Sequence, residues 1–388
     1  MIARGFQILI QEDFTMSRRF LSLFLLVVIS AFAANAAEPT FKDLYDSAIK
    51  NYNLKKYADS LQDIDKALSL TENDAEKLQA LSCRYTTYNT QRKLVEAADA
   101  AGEVLKLEKL TDAQRNLWLL NQIKAYYDAG KFDACIAASD LLIDSREAEN
   151  RDLGYHYKTI SYYRKNDNDK TLDAANKFAE NIGAAKHPMY YRAIIWQMTA
   201  LNNKKEYDKA LAVITPGEAQ KIPGAMKSEY YNMLGAIYKN KKKYPEAIAA
   251  FEKAAQYDQA YQGGYGWYSI GDVYCCMNKD NEAMYAFTKC YDLNESGSFH
   301  KTSAIVRCAE LLNKNGNPAD ALGLLGKIDT LPGSNPEGAA GGKILAGKIL
   351  VQQNKKNDAK KQFEAAVNMK GIPSSVTSQA KAELEKLK

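Results

Sequence analysis

The chain has 388 residues, with 52 Lys and Arg against 47 Asp and Glu and a formal net charge of +5. Hydrophobic residues make up 46% and charged residues 26%, the balance of a folded chain rather than a disordered one. The positive excess is mild and its lysines are interleaved with acids, so nothing points to nucleic acid as a partner.

The first element is a targeting segment. Arg18 and Arg19 precede an apolar run from Phe20 to Phe32, and Ala34, Asn35 and Ala36 follow, which is the charge, length and small-residue order of a secretory signal. Removal of residues 1–36 is expected, and with it export to the periplasm or beyond, in a bacterial envelope. It would take away Arg4, Arg18, Arg19, Glu12 and Asp13 and leave a net charge of +4. The apolar run is too short to span a bilayer comfortably, so no stable membrane span is expected after cleavage. Met16 stands directly before the basic pair, so Met1 to Thr15 is either an upstream extension or a matter of start-site choice.

From Phe41 onward a small residue returns every 36 to 38 positions: Ser60, Ala97, Cys135, Leu172, Ala210, Ala247, Ala283, Ala321 and Ala359, where only Leu172 is large. Self-similarity at that interval marks a stacked array of supersecondary units. The first copy carries Ala48, Tyr57 and Ala67, the second Tyr88, the third Tyr126 and Phe132, the fourth His156, Tyr163 and Ala179, and the fifth Tyr207. The sixth is the most complete. Tyr231, Leu234, Gly235 and Tyr238 share one helical face, a polar turn runs from Lys239 to Lys243, and Tyr244, Ala247, Phe251 and Ala254 mark a second helix with Pro245 in its first turn. The seventh copy repeats this with Trp267, Ile270, Gly271, Tyr274, Ala283, Phe287 and Cys290, the eighth with Ala309, Pro318 and Ala321, and the ninth with Gly347, Leu350, Ala359, Phe363 and Ala366. Gly and Ala at these places let the paired helices approach closely where the two positions meet. Val376, Ala380, Leu384 and Leu387 form a stripe on a last helix, suited to capping the array.

These residues resemble the tetratricopeptide repeat, whose pattern runs aromatic, Leu, Gly, Tyr, then Ala, aromatic, Ala. The resemblance implies an all-α fold, a right-handed α-solenoid superhelix of about nine helical hairpins plus a C-terminal cap helix, with the solenoid over 37–372 and the cap over 373–388. The spacing exceeds the family's usual length of about 34 residues. The surplus is placed in the Pro- and Gly-rich links, such as Thr215 to Gly224, Gln259 to Gly264 and Thr330 to Gly338.

Signals of catalysis are lacking. The three histidines, His156, His187 and His300, lie in separate repeats or links, without the HExxH or GxSxG spacing. The run Gly338 to Lys343 fails as a phosphate loop, because Glu337 stands where its first Gly is required and Ile344 where a hydroxyl is required. No catalytic residue, metal site or cofactor is assigned. Six cysteines in an exported chain raise the question of disulfides. Cys135 and Cys290 fall on packing positions, where a buried thiol acts as a small hydrophobe, while Cys290 and Cys308 could meet across neighbouring hairpins.

Binding is the remaining class, and the resemblance implies that the first helix of each hairpin lines a concave inner surface that meets the ligand. Of the 25 tyrosines, those on the packing frame need no function, whereas Tyr45, Tyr52, Tyr127, Tyr157, Tyr265 and Tyr268 fall on the inner side. Two clusters are candidate ligand-binding sites. Tyr157, Arg164, Lys165 and Arg192 combine an aromatic with positive charge, as a carboxylate or acidic peptide would require. Asn232, Lys239, Tyr265, Tyr268 and Asp272 form a more neutral patch. The sequence is thus read as an exported, nonenzymatic scaffold for a protein or peptide partner in envelope assembly or maintenance. Binding of carbohydrate or a cell-wall fragment by groove tyrosines is the alternative.

Overall fold

A computed structural model describes residues 38–182, 188–258, 264–292 and 298–387. The signal segment and His187 lie outside the described residues. Among those described there are 20 α-helices and no strand. The chain divides into two compact units, Met1–Leu142 and Ile143–Lys388.

The first unit holds three antiparallel hairpins: α1 (Phe41–Asn53) with α2 (Tyr57–Ser69), α3 (Asp74–Thr90) with α4 (Leu94–Val104), and α5 (Asp112–Asp128) with α6 (Phe132–Ile143). The second holds α7 (Ala148–Arg164) with α8 (Asn168–Ile182), α9 (Pro188–Asn203) with the short α10 (Tyr207–Ala212), and a linking turn of helix, α11 (Pro216–Ala219). It continues with α12 (Gly224–Asn240) and α13 (Tyr244–Tyr257), α14 (Gly264–Cys276) and α15 (Asp280–Asp292), then α16 (Ser298–Lys314) and α17 (Pro318–Gly326). The last pair is α18 (Pro336–Gln352) with α19 (Lys356–Val367), and α20 (Ser374–Glu385) packs on it through buried Ala380 beside Val376 and Leu384.

Every hairpin turns in the same way. The residue two places before each second helix has a positive φ: Lys55, Arg92, Gly130, Asn166, Lys205, Lys242, Asn278, Gly316 and Asn354. The amide that follows reaches back to a carbonyl in the last turn of the first helix, as in Lys243 N to Tyr238 O at 2.9 Å and Lys279 N to Tyr274 O at 3.0 Å. This is the Schellman closure, which satisfies carbonyls the helix end would leave unpaired.

The turns correct the frame of the fourth copy by one residue. Asp167 N reaches Tyr162 O there, and the buried small residue in the first turn of α8 is Thr171, fully sealed, rather than Leu172. Tyr162 therefore holds the packing place assigned to Tyr163. With Thr171 in the series, all nine positions are small or hydroxyl-bearing and fully buried.

The close approach of the helices also differs in detail from its expected form. A Cβ on Gly235 or Gly271 would meet the ring of Phe251 at 2.8 Å or Phe287 at 2.5 Å, and one on Gly347 would strike Phe363. Glycine thus makes room for the aromatic of the second helix, one turn beyond the small residue, because the ring is what projects across the hairpin. Where the second helix carries less bulk, the first carries more: Thr159 and Ala175, and Ile123 and Ser139, hold the corresponding places in the frame, and all four are buried.

Neighbouring hairpins are tied at their turns. Lys204 pairs with Asp169 at 2.6 Å, Lys314 with Asp280 at 2.6 Å, and Lys241 with Asp208, while Asn240 donates to Asn202 at 2.9 Å. Pairs of this kind at partly exposed turns contribute little each. All six cysteines are free thiols. Cys290 donates to Gly264 O at 3.1 Å and Cys308 to Met284 O at 3.8 Å, so each has its own backbone acceptor.

Candidate functional site

In the second unit a cavity of about 280 Å³ is lined only by residues of first helices: Tyr163 of α7, Arg192, Ile195, Trp196 and Thr199 of α9, Glu229, Asn232, Met233 and Ala236 of α12, and Tyr265 of α14. The spacing on α9 explains its wall. Arg192, Ile195, Trp196 and Thr199 are three or four residues apart and so share a face, while Ile194, Met198 and Leu201 point to the core behind it. On α12, Glu229, Asn232, Met233 and Ala236 repeat that pattern.

The wall is aromatic at one end. The Tyr163 and Trp196 rings lie 5.2 Å apart at 52°, and His156 stands behind Trp196 at 6.5 Å with Tyr157 against its other side at 5.4 Å. Burial pushes the His156 imidazole down to about 4, and the nearby Arg192 charge adds to that, so it is neutral at physiological pH. Its Nδ1 is sealed from solvent and has no hydrogen-bond partner. At the other end Tyr265, 38% exposed, meets His300 edge-on at 5.1 Å.

The polar groups are paired across helices. Arg192 Nη1 donates to Glu229 Oε1 at 3.1 Å, joining α9 to α12 and leaving the cavity close to neutral. Asn232 donates only to Ser228 Oγ at 3.5 Å, and its Oδ1 is buried without a partner.

The two clusters marked in the sequence are thus recombined. Arg192 of the first and Asn232 and Tyr265 of the second share one cavity. Tyr157, Arg164 and Lys165 do not line it: Tyr157 packs on His156, and Arg164 and Lys165 are exposed at the C-terminal end of α7. Lys239, in the last turn of α12, is also outside it. Tyr268 packs on Phe287 at 5.5 Å and on His300 at 6.3 Å, and burial beside Asp272 pushes its hydroxyl up to about 12. Asp272 is held by Arg307 at 3.5 Å, and Arg307 also bonds Glu310 at 2.7 Å.

Of the remaining inner-side tyrosines, Tyr45 stacks on Phe41 at 5.8 Å, Tyr52 bonds Thr90 at 2.9 Å and Tyr127 meets Phe132 at 5.9 Å. Trp196, one turn beyond Arg192, and Glu229, three residues before Asn232, join the site without a signal in the sequence pattern. Tyr163, expected on the packing frame, lines the cavity instead. Among the described residues, no group of three His, Cys, Asp or Glu side chains is placed to hold a metal ion.

The fold and this face define a helical-hairpin repeat protein. The Tetratricopeptide repeat family pattern matches residues 228–261, which begin in α12 and take in α13. Solved structures are similar to the chain over nearly all of their own length. A tetratricopeptide repeat protein from Parabacteroides merdae is 15% identical, with TM-score 0.47, over 80% of this chain and 99% of that one. The apo form of RapI is 11% identical, with TM-score 0.50, over 89% and 98%. The apo form of the quorum sensor NprR from B. thuringiensis is 10% identical, with TM-score 0.49, over 84% and 97%. No curated protein matches the sequence. The chain carries a tetratricopeptide repeat at residues 228–261, within an array of helical hairpins.

Proposed function

We propose that the chain is an exported, nonenzymatic scaffold that holds a protein or peptide partner along the first helices of residues 143–388, in the service of cell-envelope assembly or maintenance. The observation that carries this reading is the cavity itself: all its lining residues come from first helices, and they combine three aromatic rings with a cross-helix ion pair. Exposed rings beside polar groups are what peptide-binding surfaces use as anchors. Export rests on the order of charge, apolar run and small residues in 17–36. No helix among the described residues is long and apolar enough to cross a membrane.

Arg192→Glu together with Trp196→Ala tests the binding reading. Loss of a specific crosslinked partner in intact cells, with the thermal melt retained, is expected. Capture unchanged by the pair would overturn it, and fluorescence quenched by oligosaccharides with no partner retained would favour sugar binding instead. For export, fractionation with an intact mass beginning near Ala37 is expected, and an uncleaved chain in the cytosolic fraction would contradict it.

A further inference from the structure

We infer that the cavity between α9 and α12 is an anchor pocket for one neutral aromatic ring bearing a hydrogen-bond donor, the side chain of a tyrosine or tryptophan in the partner. The partner as source of the ring rests on the scaffold reading above; the pocket chemistry does not.

Size comes first. About 280 Å³ lies just below the range of roughly 300–1,000 Å³ typical of drug-sized ligand sites, so it suits a single ring and its stem. The walls favour an aromatic occupant: Tyr163 and Trp196 offer tilted ring faces, Tyr265 offers a third, and Met233 supplies a polarizable thioether that adapts to ring edges.

Charge then selects among rings. The Arg192–Glu229 pair cancels within the lining. An acidic occupant would meet the Glu229 carboxylate and a cationic one the Arg192 guanidinium, so either would work against the pair. A neutral O–H or N–H leaves it intact. The Glu229 carboxylate gives one oxygen to Arg192, is half-exposed, and retains acceptor capacity. A phenol or indole satisfies both the ring walls and that acceptor. A plain hydrocarbon ring leaves the acceptor to water, and a sugar would turn several hydroxyls toward Ile195, Met233 and Ala236, which offer them nothing.

The test uses side-chain analogues on the full chain. Saturation-transfer NMR with p-cresol and indole, and with toluene and glucose as controls, measures which occupant binds, and the Met233 methyl signal reports where. We expect p-cresol and indole to bind about tenfold tighter than toluene and to shift Met233, with no binding of glucose. Met233→Trp, which fills the pocket from its own wall, should abolish ring binding, and Trp196→Leu should weaken it; the thermal melt of each variant verifies folding. Toluene equal to p-cresol, glucose bound instead, or ring binding unchanged in a folded Met233→Trp protein would overturn the inference. Ring binding without any retained partner would remove the scaffold reading and leave the anchor standing. A retained partner without ring binding would do the reverse.

Discussion

Lys242 sits at φ 60°, in the left-handed region where a side chain is strained and glycine is not. Only two of the nine hairpin turns place Gly there, Gly130 and Gly316. Lys242→Gly is therefore expected to stabilise the fold by up to about 1 kcal/mol, seen as a later midpoint in urea, because relief of left-handed strain outweighs the greater unfolded-state freedom of glycine. His156 carries the pH dependence at this scale. Its folded-state value near 4 lies below the ordinary 6.5, so between those values the unfolded chain binds more protons than the folded one. The contribution is then complete above pH 6.5, declines as pH falls toward 4, and amounts to about 3 kcal/mol in all. Thermal melts of the wild type should steepen their fall across that window, and His156→Phe should flatten it. Single residues were the least legible level of the sequence. Tyr162 and Tyr163 are adjacent tyrosines on a helix, and nothing in their identity says which one packs and which one lines the cavity.

The hairpin is a fit between one small and one large side chain. Gly271 exists because Phe287 fills the space in front of it. Gly271→Ala should cost about 1–3 kcal/mol by overpacking, and the double variant with Phe287→Leu should cost less than the two single changes combined, since the smaller side chain yields the missing room. Additive losses in a double-mutant cycle would contradict this contact. The fifth hairpin shows what happens without complementarity. Met198 and Ile214 are both large at the corresponding places, and α10 ends at Ala212, after which Thr215 caps the short α11 with Pro216 in its first turn. The nine hairpins were legible because each copy repeats a packing constraint, and Leu172 misled because a neighbouring Thr171 satisfies the same constraint.

At the scale of the whole chain, repetition made the fold readable and hid the site. A packing position recurs in every copy, so a single sequence contains its own alignment. A binding residue occurs once. Arg192 was legible as an inner-face charge, but its partner Glu229 belongs to the next hairpin, and so does the Arg307 that neutralises Asp272. No spacing within one repeat announces such pairs, because they depend on how far adjacent first helices are turned toward each other. The neutral cavity that results was expected to be two separate clusters.

Whether the cavity holds a partner in the cell is decided by a photo-crosslinking amino acid placed either at Met233, on the cavity wall, or at Glu252, exposed on α13. A discrete crosslinked partner that free p-cresol displaces is expected from Met233, and none from Glu252. Equal crosslinking from both positions, or from Glu252 alone, would contradict binding at the cavity.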